Sequence, residues 1–98
     1  MTYIDELAEA IRGEINPKAL PSGNTAPLFR LYAVLTLAKG TDVTAEDVHN
    51  AWAAWMSDEN PAHESIKPYQ QLPSRVQSED QPFVDAIRKM ASLGLVKD

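Results

Sequence analysis

Ala26-Pro27-Leu28-Phe29-Arg30-Leu31-Tyr32-Ala33-Val34-Leu35-Thr36-Leu37-Ala38 is the longest apolar-rich stretch of the chain. Pro27 falls in the first turn of a helix, where its missing N–H is no loss, and Gly40 stands where a helix is capped at its C-terminus. Leu28, Phe29, Leu31, Tyr32, Val34, Leu35 and Leu37 point nearly all round such a helix. A helix that is apolar on most sides is a buried one, so the stretch reads as a central core helix over about 25–39. It is shorter than the roughly 20 apolar residues that a membrane span needs, and Arg30 interrupts it.

Three amphipathic helices are expected around it. Ile4, Leu7, Ala8, Ile11 and Ile15 recur on a 3.6-residue period, which predicts a first helix over about 2–15. Thr2 is its cap, with Asp5 completing a weak capping box, and Asn16-Pro17 stops it. Thr44 announces the third helix, expected over about 44–57. Glu46 and Asp47 lie in its first turn, where the helix dipole favours acids, and Val48, Ala51, Trp52, Trp55 and Met56 form its apolar face. The fourth, over about 78–93, carries Phe83, Val84, Ile87, Met90 and Ala91 on one stripe. Pro82 argues for a start at Gln81, because it would break a backbone bond in a helix begun at Ser78. Residues 58–77, with Pro61, Pro68 and Pro73, read as a long proline-containing loop that Ile66, Tyr69 and Leu72 pin to the core. The fold class is therefore all-α: a single small domain, 1–98, of about four helices.

Composition narrows the function. The 98 residues carry a net charge of −5 and contain no cysteine. Disulfides, thiol chemistry and cysteine–zinc sites are thereby excluded, and the lack of basic excess argues against nucleic-acid binding. With no apolar span, no membrane role is expected, and the acidic start, Thr2-Tyr3-Ile4-Asp5-Glu6, is unlike the basic opening of a signal peptide; a cytoplasmic location is expected. His49 and His63 are too widely spaced for a recognised metal motif, and the serines form no nucleophile elbow. Adjacent acids such as Glu46-Asp47 and Glu79-Asp80 do not face one another on a helix. No metal, no cofactor and no catalysis are expected. Trp52 and Trp55, three residues apart, are core packing or, where exposed, a groove or a partner's anchor.

The stretch 48–95 resembles the RyR domain, first recognised as a repeat in ryanodine receptors. The resemblance is carried by His49-Asn50-Ala51-Trp52, by His63 with Pro68-Tyr69-Gln70-Gln71-Leu72-Pro73, by Asp80, and by Ala91-Ser92-Leu93-Gly94-Leu95. Glu64 stands where that family usually has proline, and the family's glycine–tryptophan element is absent. The resemblance implies a helical module for a small, nucleotide-derived ligand or for protein contact, with pocket positions His49, Trp52, Pro68, Tyr69 and Asp80. A flat group between Trp52 and Tyr69, met by His49, is the implied geometry; the favoured alternative is that His49 or Asp80 tethers the proline-containing loop by hydrogen bonds, with Trp52 and Tyr69 packed under it. Phe29-Arg30-Leu31-Tyr32-Ala33-Val34-Leu35 and Ala45-Glu46-Asp47-Val48-His49-Asn50-Ala51-Trp52 are also similar to stretches of small proteins from actinobacteria and their phages. The leading expectation is a non-enzymatic binding or regulatory module with a protein partner, on a surface of the third helix and residues 58–74. The alternatives are a small-ligand sensor and a phage structural or assembly component, with oligomeric state open.

Overall fold

A computed structural model describes residues 2–94. The expected single domain at 1 and 95–98, and Leu95 of the RyR-like stretch, lie outside the described residues. Among the described residues there are four helices of eleven residues or more: α1, Tyr3–Gly13; α2, Ala26–Lys39; α3, Ala45–Glu59; and α5, Gln81–Ser92, preceded by a one-turn helix α4, Ser74–Gln77. No strand occurs among the described residues. None of their helices is long and apolar enough to cross a membrane.

Local chemistry sets the helix starts. Thr2 and Thr44 each accept from the backbone N–H three residues on, while Asp5 and Asp47 accept from the two cap N–H groups. Two donors that the first turn leaves orphaned are thus satisfied at each start. Gly40 closes α2 at a φ of 58°, in the left-handed region that glycine enters at no steric cost. α5 begins at Gln81, with Pro82 in its first turn. α1 is shorter than expected: Glu14 and Ile15 bond back three residues instead of four, a tightening that ends the helix. Residues 69–71 and 74–77 turn helically where an irregular loop was expected, and α3 runs on to Glu59.

α2 lies at the centre, in contact with α1, α3 and α5. Phe29 and Tyr32 of α2, 5.3 Å apart between ring centroids, meet Phe83 of α5 at 6.3 and 5.4 Å. Edge-on and tilted rings suit the aromatic quadrupole. Ile11, Leu28, Val43, Val48 and Ile87 fill in around them. The core does not wrap α2 completely, however. Val34 and Leu37 are exposed, so its apolar surface exceeds what three neighbouring helices cover.

Two polar ties cross the core boundary. The Arg88 guanidinium donates twice to the Val43 carbonyl, at 2.8 and 3.1 Å, holding α5 to the link between α2 and α3. The Trp55 indole N–H donates to the Asn24 carbonyl at 3.0 Å. Trp55 is 4% exposed. It is a core residue, and the expectation that it serves ligand or partner is corrected. At position 55 the α3 face already meets the start of α2. Trp55→Ala should therefore cost about 3–5 kcal/mol, as for other buried aromatics, read as a lowered denaturation midpoint. A loss under about 1 kcal/mol would contradict this placement.

Candidate functional site

Three residues after His49, Trp52 occupies the same side of α3, turned toward residues 60–73 and not toward Asn24. His49 is 3% exposed. Its Nε2–H donates to the Lys67 carbonyl at 2.7 Å. A carbonyl can only accept, so Nε2 carries the proton and neutral His49 keeps a lone pair at Nδ1. The imidazole stacks on Trp52 at 5.6 Å between centroids and lies 6.2 Å from Tyr69. His63 meets Trp52 edge-on at 5.1 Å. The Ser65 backbone N–H donates to Nδ1 of His63, which leaves Nε2 as the proton-bearing atom of the neutral ring.

The expected space between Trp52 and Tyr69 is thus not a pocket, because the His49 ring packs against both. The cleft lies on the other side, with a volume of ≈ 490 Å³. Small-molecule sites run from about 300 to 1,000 Å³. Tyr32 and Phe83 form its floor, Trp52 and His63 a wall, and Asp80 and His49 its polar side, with Lys18 and Glu79 among the remaining lining residues. Of the expected site residues, His49, Trp52 and Asp80 come together here. Tyr69 is half-buried behind His49, Pro68 is exposed outside the cleft, and Trp55 is in the core.

The polar groups of the cleft are unusual in what they lack. Tyr32 is 1% exposed, yet among the described residues its hydroxyl has no hydrogen-bond partner, and neither has Nδ1 of His49. No fully buried polar side-chain atom is left unsatisfied among them, so both atoms open onto the cleft. Asp80 stands at the start of α5 but does not cap it. Among the described residues it also makes no ion pair, whereas Asp5, Glu14, Asp47 and Glu79 all do.

Burial pushes the Asp80 carboxyl up to about 6; nearby His49 opposes the rise and Glu79 adds to it. Burial, helped by the Asp80 charge, raises the Tyr32 phenol well above its ordinary range. Tyr32 therefore stays protonated near neutrality, while Asp80 changes charge within a physiological interval.

No group of three or more His, Asp and Glu able to hold a metal occurs among the described residues. The sequence matches the family described as Domain of unknown function (DUF7701) over residues 2–92. The chain belongs to that family. No curated protein and no solved structure matches it. The DUF7701 match runs from before Lys18 to beyond Phe83, so every segment that lines the cleft belongs to the domain.

Tyr32, Lys18, Glu79 and Phe83 were not among the expected site residues. Tyr32 had left one sequence signal: a phenol hydroxyl on a largely buried helix must be satisfied or opened somewhere. The others reach the cleft through chain crossings that no local pattern encodes.

The Asp80 environment generates a stability prediction. A folded-state pKa raised from the ordinary 3.8 to about 6 means that the folded form holds this proton more tightly than the unfolded one. Its contribution is fully present below pH of about 4 and is lost as pH rises through about 6. The full shift corresponds to roughly 3 kcal/mol, but a half-exposed carboxylate is screened by solvent, which reduces this to about 1 kcal/mol. Asp80→Asn should match the wild type near pH 4 and exceed it at pH 7 by about 1 kcal/mol. In a domain of this size that is about 4–8 °C in melting temperature. A variant less stable than wild type at pH 7 would show that Asp80 is structurally paired after all.

Proposed function

We propose that this domain is a non-catalytic binding module that takes a small molecule into the cleft beneath Trp52. One observation carries the reading: Tyr32, His49 and Asp80 present polar atoms to one aromatic-lined cleft instead of spending them on the fold. Buried polar groups normally find partners within the protein. Groups that open onto a concave, largely apolar space are the arrangement of a ligand site. Binding is preferred to turnover because, among the described residues, no nucleophile stands beside Asp80: Tyr32 at the floor and His49 on the polar side are both held in place. His49 is pinned through Nε2 to Lys67, and the Tyr32 phenol is held protonated. Both suit recognition and neither supplies a nucleophile.

The resemblance to RyR domains supports the same reading in part. Its positions His49, Trp52 and Asp80 line the cleft, while Pro68 and Tyr69 serve the segment behind it. A second reading, contact with another protein, draws on a different observation. Val34 stands exposed above a shallow apolar groove with Leu31, Leu35 and Ala51. That surface is the outer side of α2 and α3, not the 58–74 segment. Val34→Lys removes the patch and leaves the cleft intact, so it separates the two readings in any binding assay.

The cleft reading is tested with the two indole N–H resonances of Trp52 and Trp55. A set of planar fragments, cationic, neutral and anionic, is titrated into the ¹⁵N-labelled chain. The Trp52 signal should move with at least one fragment while the Trp55 signal, locked to Asn24, stays. Stabilisation follows the same binding: a fragment at a hundred times its dissociation constant raises stability by about 2.7 kcal/mol. Silence of the Trp52 signal across all three charge classes would remove the cleft as a ligand site.

A further inference from the structure

The cleft's charge and hydrogen-bond pattern restricts what can occupy it. Asp80 is a half-buried carboxylate that, among the described residues, has neither an ion pair nor a hydrogen bond, and its sequence neighbour Glu79 lines the same cleft. Beside it, the neutral form of His49 has its acceptor lone pair at Nδ1, because Nε2–H is committed to the Lys67 carbonyl. The Tyr32 oxygen, at the floor, is 99% enclosed with its residue yet opens onto the same space. Two groups more than nine-tenths buried therefore face the cavity next to a carboxylate that makes no ion pair among the described residues. A buried anion is costly until a counter-charge reaches it.

Resting on the cleft reading above, we infer that the cleft receives a planar nitrogen cation: an amidinium, a guanidinium or a protonated amino-substituted ring. A planar cation places two N–H donors on a carboxylate in parallel, and it leaves water more readily than a compact ammonium does. Its edge donors meet Asp80 and the His49 lone pair. Its faces and remaining edge meet the ring walls of Tyr32, Phe83 and Trp52, with a further gain from cation–π contact. An anion is less well met: its charge would face Asp80 and Glu79, and the donors available to it are the Tyr32 and Ser65 hydroxyls, His63 Nε2–H and Lys18. Lys18 comes from the exposed turn 17–19 and belongs to the rim.

The inference separates from the cleft reading by charge alone. Benzamidine, benzamide, benzylamine and benzoate share a ring and differ in charge and planarity. Each is titrated into the full chain at pH 7, with the Trp52 indole and His63 ring signals as readouts. Benzamidine should bind at least tenfold more tightly than benzamide and benzylamine, and benzoate should leave the signals in place. Asp80→Asn, which keeps size and removes charge, should erase the benzamidine preference while the Trp55 signal shows an intact fold. Affinity for benzamidine should also rise between pH 5 and pH 7, as Asp80 ionises. Protonation of His49 or His63 would oppose a cation in the same direction, and Glu79, Lys18 and Tyr32 also face the site, so the Asn variant decides the assignment: its pH slope should flatten.

Equal or tighter binding of benzamide or benzoate, or an unchanged preference in Asp80→Asn, overturns the cation while the cleft stands. Benzylamine binding as tightly as benzamidine overturns planarity. If no compound of any charge moves Trp52, in this series or in the wider fragment set, both readings fall together.

Discussion

The burial of Tyr32 is the constraint on which the rest depends. Its ring sits with Phe29 and Phe83 at the meeting of α2 and α5, and the side chain is almost fully enclosed. Its hydroxyl nevertheless ends at the floor of the cleft. The ring belongs to the core and the oxygen to the site, so whatever holds the core holds the site. Phe83 does the same from α5, and Asp80 lies just ahead of it in the chain. A floor built from the outer edge of a packed core is rigid, and rigid support is what a recognition site needs.

The wall of the cleft is held differently. Residues 60–73 are fastened by a few side-chain bonds: His49 to the Lys67 carbonyl, Gln70 to Glu46, and Gln77 to the Tyr69 carbonyl. Leu72 is the buried apolar anchor of the segment. The rings of Tyr69, His49, Trp52 and His63 pack in succession across α3 and this segment. His49 is central to that succession. One nitrogen fixes the segment, the ring orients Trp52, and the other nitrogen is left to the cleft. This dual use explains why a histidine, with two chemically distinct ring nitrogens, fits position 49 better than another aromatic.

Electrostatics divides the molecule in the same way. The Arg30–Asp5 and Lys89–Glu14 pairs, at 2.6 and 2.7 Å, are partly exposed and tie helices together at little net gain. Asp80 is the contrasting acid. It lies at a helix start, where a carboxylate commonly caps, and instead is partly desolvated and turned to the cleft, at a cost in stability. Residues kept against stability are a frequent mark of function.

Much of the fold was legible along the chain. Periodicity placed four helices, Thr2 with Asp5 and Thr44 marked two starts, and Pro82 placed the start of α5 at Gln81, because these signals act within one or two turns. The helical turns at 69–71 and 74–77 were not legible, since they form where Leu72 is buried and Gln77 reaches the Tyr69 carbonyl. His49, Trp52 and Asp80 stood out as site candidates by residue type, but Trp52 and Trp55 could not be told apart. Three residues of spacing put both on one helical side, and only the packing of α3 against Asn24 and against residues 60–73 sends one inward and the other to the cleft. The sequence by itself determined an all-α domain around α2, through local propensity and hydrophobic period. Tertiary structure alone decided that Lys18, Tyr32, His63 and Asp80 share one cavity, because that depends on how four helices cross, and hydrophobic stripes specify that a face is buried without specifying what it meets.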